Sequence, residues 1–207
     1  MRNKIAIHYP SPNISVVKGG HLYIADFSER TKGKRGVEIH ESMPSCPKDL
    51  RVPMDCFEVV NLQKLEVGFN VFEDHQFKNK KGEDIEHCEG CLFPIVKGDV
   101  SWVVMLEIKD CKSKNIKNYR EKAVNQIVSV TEIFREKQII TKQKVYGVIA
   151  LPKHKTAFDY TMFGMPPMYK ELKQKHNILF SATNRILIDK TSVKPKLKDE
   201  INDAPIF

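Results

Sequence analysis

The chain has 207 residues, is 41% hydrophobic, and carries 34 Lys and Arg against 26 Asp and Glu, a formal charge of +8. That length and apolar content suffice for one substantial core without disulfide or metal staples. No run of about 18 apolar residues is present, and Met1 to Pro10 is a charged stretch around a short Ile-Ala-Ile rather than a signal sequence, so the expectation is a cytoplasmic protein that is neither exported nor membrane-spanning.

Residues 1–55 mix short β-like runs, Ile14 to Val17 and His21 to Phe27, with turn formers and prolines, and read as an irregular N-terminal elaboration. Phe57 to Phe72 reads as a helix running into a strand, because Val59, Leu62 and Leu65 suit a helical face whereas Val67, Phe69 and Val71 alternate. Lys81-Gly82 marks a turn that delivers the chain into an apolar strand, Cys88 to Val96. Lys97-Gly98-Asp99 then turns it back into Trp102 to Lys109 as an antiparallel neighbour. The second strand is apolar on both faces, the mark of a central strand covered on each side.

Asn115 is placed to cap a helix over about 116–137 with an apolar face of Tyr119, Ala123, Ile127, Val130 and Phe134. Lys142 to Leu151 is a strand, and strand, helix, strand makes a crossover that sets it parallel to Trp102–Lys109. Pro166 to Lys175 reads as a short helix, Asn177 to Ile188 as one or two strands, and 191–207 as a polar tail. The expected class is α/β with a mixed central sheet flanked by helices, one domain over 1–190 with its core at 56–190.

Charge is unevenly spread. From Lys109 to Lys155 twelve basic residues face four acidic ones, an excess of eight that equals the net charge of the whole chain. Such a segment favours a polyanion, a nucleic acid being the natural partner, through release of condensed counterions, although a merely solvated lysine-rich face has the same composition. Lys112, Lys114, Lys117 and Lys122 are the candidate contacts.

Five cysteines, an odd number, in a chain of this size argue against a secreted disulfide framework. Cys88-Glu89-Gly90-Cys91 has the spacing of a zinc knuckle, but no second pair accompanies it; a zinc-stabilised interaction module is therefore a minor alternative. His75, His87, His154 and His176 recur at no metal-binding interval and read as surface or capping residues. There is no Gly-rich phosphate loop and no Ser/His/Asp set.

The chemistry-bearing feature is Glu107-Ile108-Lys109 at the end of the apolar strand. Alternation puts Glu107 and Lys109 on one face, and charges there are costly without a task. Gly98 is the midpoint between residues 89 and 107, so the hairpin sets Glu89 opposite Glu107, about 5 Å apart at Cβ, where two carboxylates grip one divalent cation. The competing reading is a structural ion pair of these residues.

Strand-borne Glu89, a turn, Glu107-Ile108-Lys109 and a following basic helix resemble the PD-(D/E)XK nuclease superfamily over about residues 85–151. Its usual first acid is Asp, where this chain has Glu89. The resemblance implies a restriction-endonuclease-like αβββαβ core and Mg²⁺- or Mn²⁺-dependent hydrolysis of DNA, in restriction, repair or phage defence, with a homodimer or a partner subunit in play. It also implies a functional polar residue on the next helix, for which Gln126 is the candidate, and an upstream helical Glu, for which Glu66 stands. A catalytically inactive module of the same fold, binding nucleic acid or protein, is the alternative.

Overall fold

The computed structural model describes residues 1–10, 12–26, 36–44, 56–98, 100–109, 116–154 and 166–195. The chain is α/β, and its described residues form eleven strands and three helices, α1 (Arg2–His8), α2 (Ile116–Glu136) and α3 (Pro166–His176). Eleven strands run in order as β1 (Asn13–Val17), β2 (His21–Asp26), β3 (Val37–His40), β4 (Phe57–Val60), β5 (Val67–Val71), β6 (Gly90–Pro94), β7 (Trp102–Ile108), β8 (Lys144–Ala150), β9 (Leu179–Ala182), β10 (Arg185–Ile188) and β11 (Val193–Pro195). They form a mixed six-stranded sheet, β1-β5-β6-β7-β8-β9, and a mixed five-stranded sheet, β11-β10-β4-β2-β3.

β7 organises the layers, because all seven of its residues are buried. Trp102, Val104, Leu106 and Ile108 enter a core shared with the five-stranded sheet, where they meet Leu22, Ile24, Phe57, Val59, Ile186 and Ile188. Val103 and Met105 point the other way, into a core with Ala123, Ile127, Val130 and Phe134 of α2 and Ile5 of α1. Leu172 of α3 packs against this second core as well. Each such side chain contributes roughly 1.5–3 kcal/mol when fully buried, so the two faces of β7 tie three layers together. The described helices therefore cover one face of the six-stranded sheet and a second sheet covers the other, where flanking by helices was expected.

The hairpin, the long helix and the parallel crossover stand where periodicity puts them. Gly98, at φ 97°, supplies the left-handed turn residue between β6 and β7. β7 and β8 pair in parallel from Trp102↔Lys144 to Ile108↔Ala150, with α2 as the crossover. The close approach of α2 is permitted by Gly147, whose Cβ would lie 2.7 Å from the Phe180 ring and 3.1 Å from Ile127. Asn115 lies outside the described residues.

Three sequence expectations fail for tertiary reasons. Phe57 to Phe72 contains no helix: Phe57–Val60 is claimed by pairing with β2 and β10, and Asn61 then builds a turn. Its amide donates to Gly19 O and Leu65 O and accepts from Leu65 N, with Lys64 at φ 47°. Met1 to Pro10 contains α1, anchored by fully buried Ile5. The supposed tail from 191 supplies β11, and Val193 is buried in the inter-sheet core.

The chain passes between sheets at Thr183-Asn184, linking β9 to β10. The Asn184 side-chain amide donates to Leu151 O and His154 O and accepts from Leu151 N, while its backbone carbonyl accepts from Glu58 N, so one residue braces the end of β8 against the second sheet. No helix among the described residues is long and apolar enough to cross a membrane.

Packing is equally close beside the hairpin. A Cβ on Gly90 would lie 2.5 Å from the Asn70 carbonyl oxygen and 3.1 Å from the Phe69 ring, so β5 and β6 cannot both keep their places. Gly90→Ala is expected to lower stability by about 2–3 kcal/mol in urea unfolding.

Candidate active site

Glu107 is the sixth residue of the seven in β7 and is fully buried. Lys109 lies just beyond the strand, and its amide donates to Ala150 O at 2.9 Å, which carries the parallel ladder one step further. By alternation its side chain returns to the Glu107 side, and its Nζ forms an ion pair with Glu107 Oε1. The Lys109 side chain retains 18% exposure, so the pair opens to solvent only on the lysine side.

Glu89 reaches the site in a way that spacing did not foresee. The register runs Leu92↔Val104, Cys91↔Met105, Gly90↔Leu106, which is the one implied by a midpoint at Gly98. The Glu89 amide, however, also donates to Leu106 O, at 2.9 Å, so residues 89 and 90 both face Leu106. This is a β-bulge. The cysteines report the same extra residue: Cys88 and Cys91, three apart, would fall on opposite faces of a regular strand, yet both enter the helix-side core. Glu89 therefore stands one residue ahead of β6, half-buried, and is not the regular cross-strand partner that spacing predicts for Glu107.

Charge nevertheless converges on Lys109. Burial pulls its pKa down, but Glu107, through charge and a hydrogen bond, together with the charges of Glu89 and Asp26, outweighs that effect and holds the pKa above the ordinary lysine value. Lys109 is thus an ammonium at neutral pH, fit to stabilise negative charge and unfit to act as a base.

Asp26 was missed in the sequence. It ends β2 in the other sheet, following Leu22 and Ile24 on the side that packs into the inter-sheet core. The signal was present, since Asp26 closes an apolar strand and Glu107 stands next to the last residue of another. What could not be read was that two different sheets end at the same rim.

The remaining candidates lie elsewhere. Gln126 is buried, but its Nε2 donates to His87 O at 2.8 Å, and Lys122 pairs with Glu86 at 2.8 Å, so α2 grips the segment leading into Glu89. Glu66 is exposed, in no helix, at the end of β5 that pairs with Pro94, the opposite end from Glu89. Lys112 and Lys114 lie outside the described residues, and Lys117 is at the start of α2. His87, expected to be a surface or capping residue, is buried against the rings of Phe72 and Phe77. Cys91 is fully buried and burial pushes its thiol pKa up.

Compared with known proteins, the chain matches no family model, no curated protein and no solved structure.

The ion pair has a measurable signature. Lys109→Met strands a buried carboxylate and is expected to cost about 3–5 kcal/mol at neutral pH in urea unfolding, most of it recovered in the Glu107→Gln/Lys109→Met double variant. Because the folded-state pKa of Lys109 lies above the ordinary lysine value of 10.5, the pair's stabilisation is complete below that pH and is lost as pH rises through the higher folded value. On the alkaline side of neutrality the stability gap between wild type and Lys109→Met should therefore close only as pH passes that folded value.

Proposed function

We propose that the protein is a metal-dependent phosphodiesterase acting on DNA, a nuclease of PD-(D/E)XK type, with Glu89, Glu107 and Lys109 at its centre. The observation that carries the reading is the buried Glu107–Lys109 ion pair at the end of β7, on whose ammonium the charges of Glu89, from the bulge before β6, and Asp26, from β2, also act. The topology supports the reading too: β5, β6 and β7 form an antiparallel meander, and α2 then crosses to β8 parallel to β7, the βββαβ portion of the expected core. A helix does not directly precede β5; α1, much earlier in the chain, packs in the same helix-side core as α2.

Among the described residues no three His, Cys, Asp or Glu side chains form a ready ligand set. Carboxylate oxygens are the donors that Mg²⁺ or Mn²⁺ takes, and Mg²⁺ commonly binds through one or two carboxylates with water completing its shell. Glu107 and Glu89 would hold it. When bound, such an ion polarises a phosphate oxygen and acidifies a coordinated water. Lys109, kept protonated by its acidic neighbours, places positive charge where the phosphate gains negative charge during hydrolysis. Its partial exposure lets a phosphate reach it, and the fully buried Glu107 orients it from below.

A second reading, an inactive module of the same fold, draws on the complete burial of Glu107, which suits a structural ion pair. One experiment separates the two. Purified protein incubated with plasmid and linear DNA plus Mg²⁺ or Mn²⁺ should cleave. Glu107→Gln should reduce the rate on the order of 100- to 1000-fold while DNA binding persists. Binding without cleavage by the wild-type chain, in either metal, would establish the inactive module.

A further inference from the structure

We infer that Gln126 is a positioning residue: its side-chain amide holds the bulged segment that carries Glu89 against helix α2. This deepens the nuclease reading and rests on it for its catalytic consequence, whereas the clamp itself stands on hydrogen bonds.

A bulge sets two residues against one and interrupts the ladder, so strand pairing alone leaves its conformation weakly determined. Here the ladder contributes Glu89 N to Leu106 O and Phe72 N to Glu89 O, and something further must fix the chain immediately upstream. Gln126 does so. It is 8% exposed, its Nε2 donates to His87 O at 2.8 Å, and its Oε1 is buried with no hydrogen-bond partner among the described residues. A buried amide that makes a single bond has one favourable orientation, and turning it over would set two acceptor oxygens against each other.

His87 is a suitable handle. Its ring packs edge-on against Phe72 and Phe77, with centroids 6.2 and 5.2 Å away, and its Nδ1 lies 2.9 Å from Cys88 O. Fixing the His87 carbonyl leaves few rotations free before Glu89, two residues on. Lys122 and Glu86 make a parallel contact on the solvent side, but both are about half exposed or more and hold the chain weakly. The buried amide therefore couples α2 to the acid, and a helix seated on the sheet by Ala123, Ile127 and Val130 transmits its rigidity to a residue it does not carry.

The test uses the full chain with Gln126→Leu, and Gln126→Met as a second, flexible replacement of similar volume. Site-resolved hydrogen exchange should quicken about tenfold at the Cys88 and Glu89 amides while Val104 and Val148 keep their protection. Unchanged exchange at residues 88 and 89, or an equal rise at Val104 and Val148 in both variants, overturns the clamp. In metal-dependent DNA cleavage, Gln126→Leu should lower kcat about tenfold with KM for DNA unchanged, and should have no further effect in a Glu89→Gln background. A loss that persists undiminished in that background shows that Gln126 does not act through Glu89 and overturns the positioning role. A wild-type chain without any metal-dependent cleavage would remove the nuclease reading, and the exchange measurement would still decide the clamp.

Discussion

The buried ion pair at the end of β7 is the constraint around which the molecule is arranged. A carboxylate with no solvent exposure is costly unless a cation stands beside it, and among the described residues Lys109 is such a cation. To keep the two together the strand must continue one step past its last apolar residue, which the bond from Lys109 N to Ala150 O achieves. The parallel partner β8 is thus needed at the site and not only in the core. Asn184, which braces the end of β8 against the five-stranded sheet, belongs to the same arrangement.

Around that pair, each additional group comes from a different part of the chain. Glu89 arrives from a bulge, Asp26 from the far sheet, and Gln126 reaches across from α2 to hold the approach to the bulge. Acids close to one lysine keep it protonated, and this decides its chemistry: it can attract and stabilise a phosphate but not remove a proton from water. The geometry is consistent with phosphoryl chemistry at a rim where two sheets end, with the apolar layers below supplying the rigidity that such a site requires.

Much of the β6 to β8 region was readable because its signals are local. Gly98 with the flanking apolar runs determined the hairpin, and the three- and four-residue spacing of Ala123, Ile127, Val130 and Phe134 determined α2 and its buried face. Glu107 and Lys109 were legible for the same reason, as charges ending an otherwise apolar strand. Phe57 to Val60 was misread because a short apolar run suits either helix or strand, and the choice was made by β2 and β10, distant in sequence. The bulge at Glu89 was invisible because a single extra residue changes no composition and no periodicity long enough to detect.

The sequence by itself determined a mixed α/β class, a parallel crossover, and an acid and a lysine two residues apart at the end of a buried strand, because each follows from side-chain alternation or helical spacing within a short window. Only the tertiary structure decided that a second sheet covers the face opposite the helices, that Asp26 lies near Lys109, and that Gln126 is spent on the His87 carbonyl. Those facts depend on which distant strands pair and on where two sheets terminate. Such choices are set by the burial of whole apolar faces against one another, a property of the assembled layers that no local stretch of residues contains.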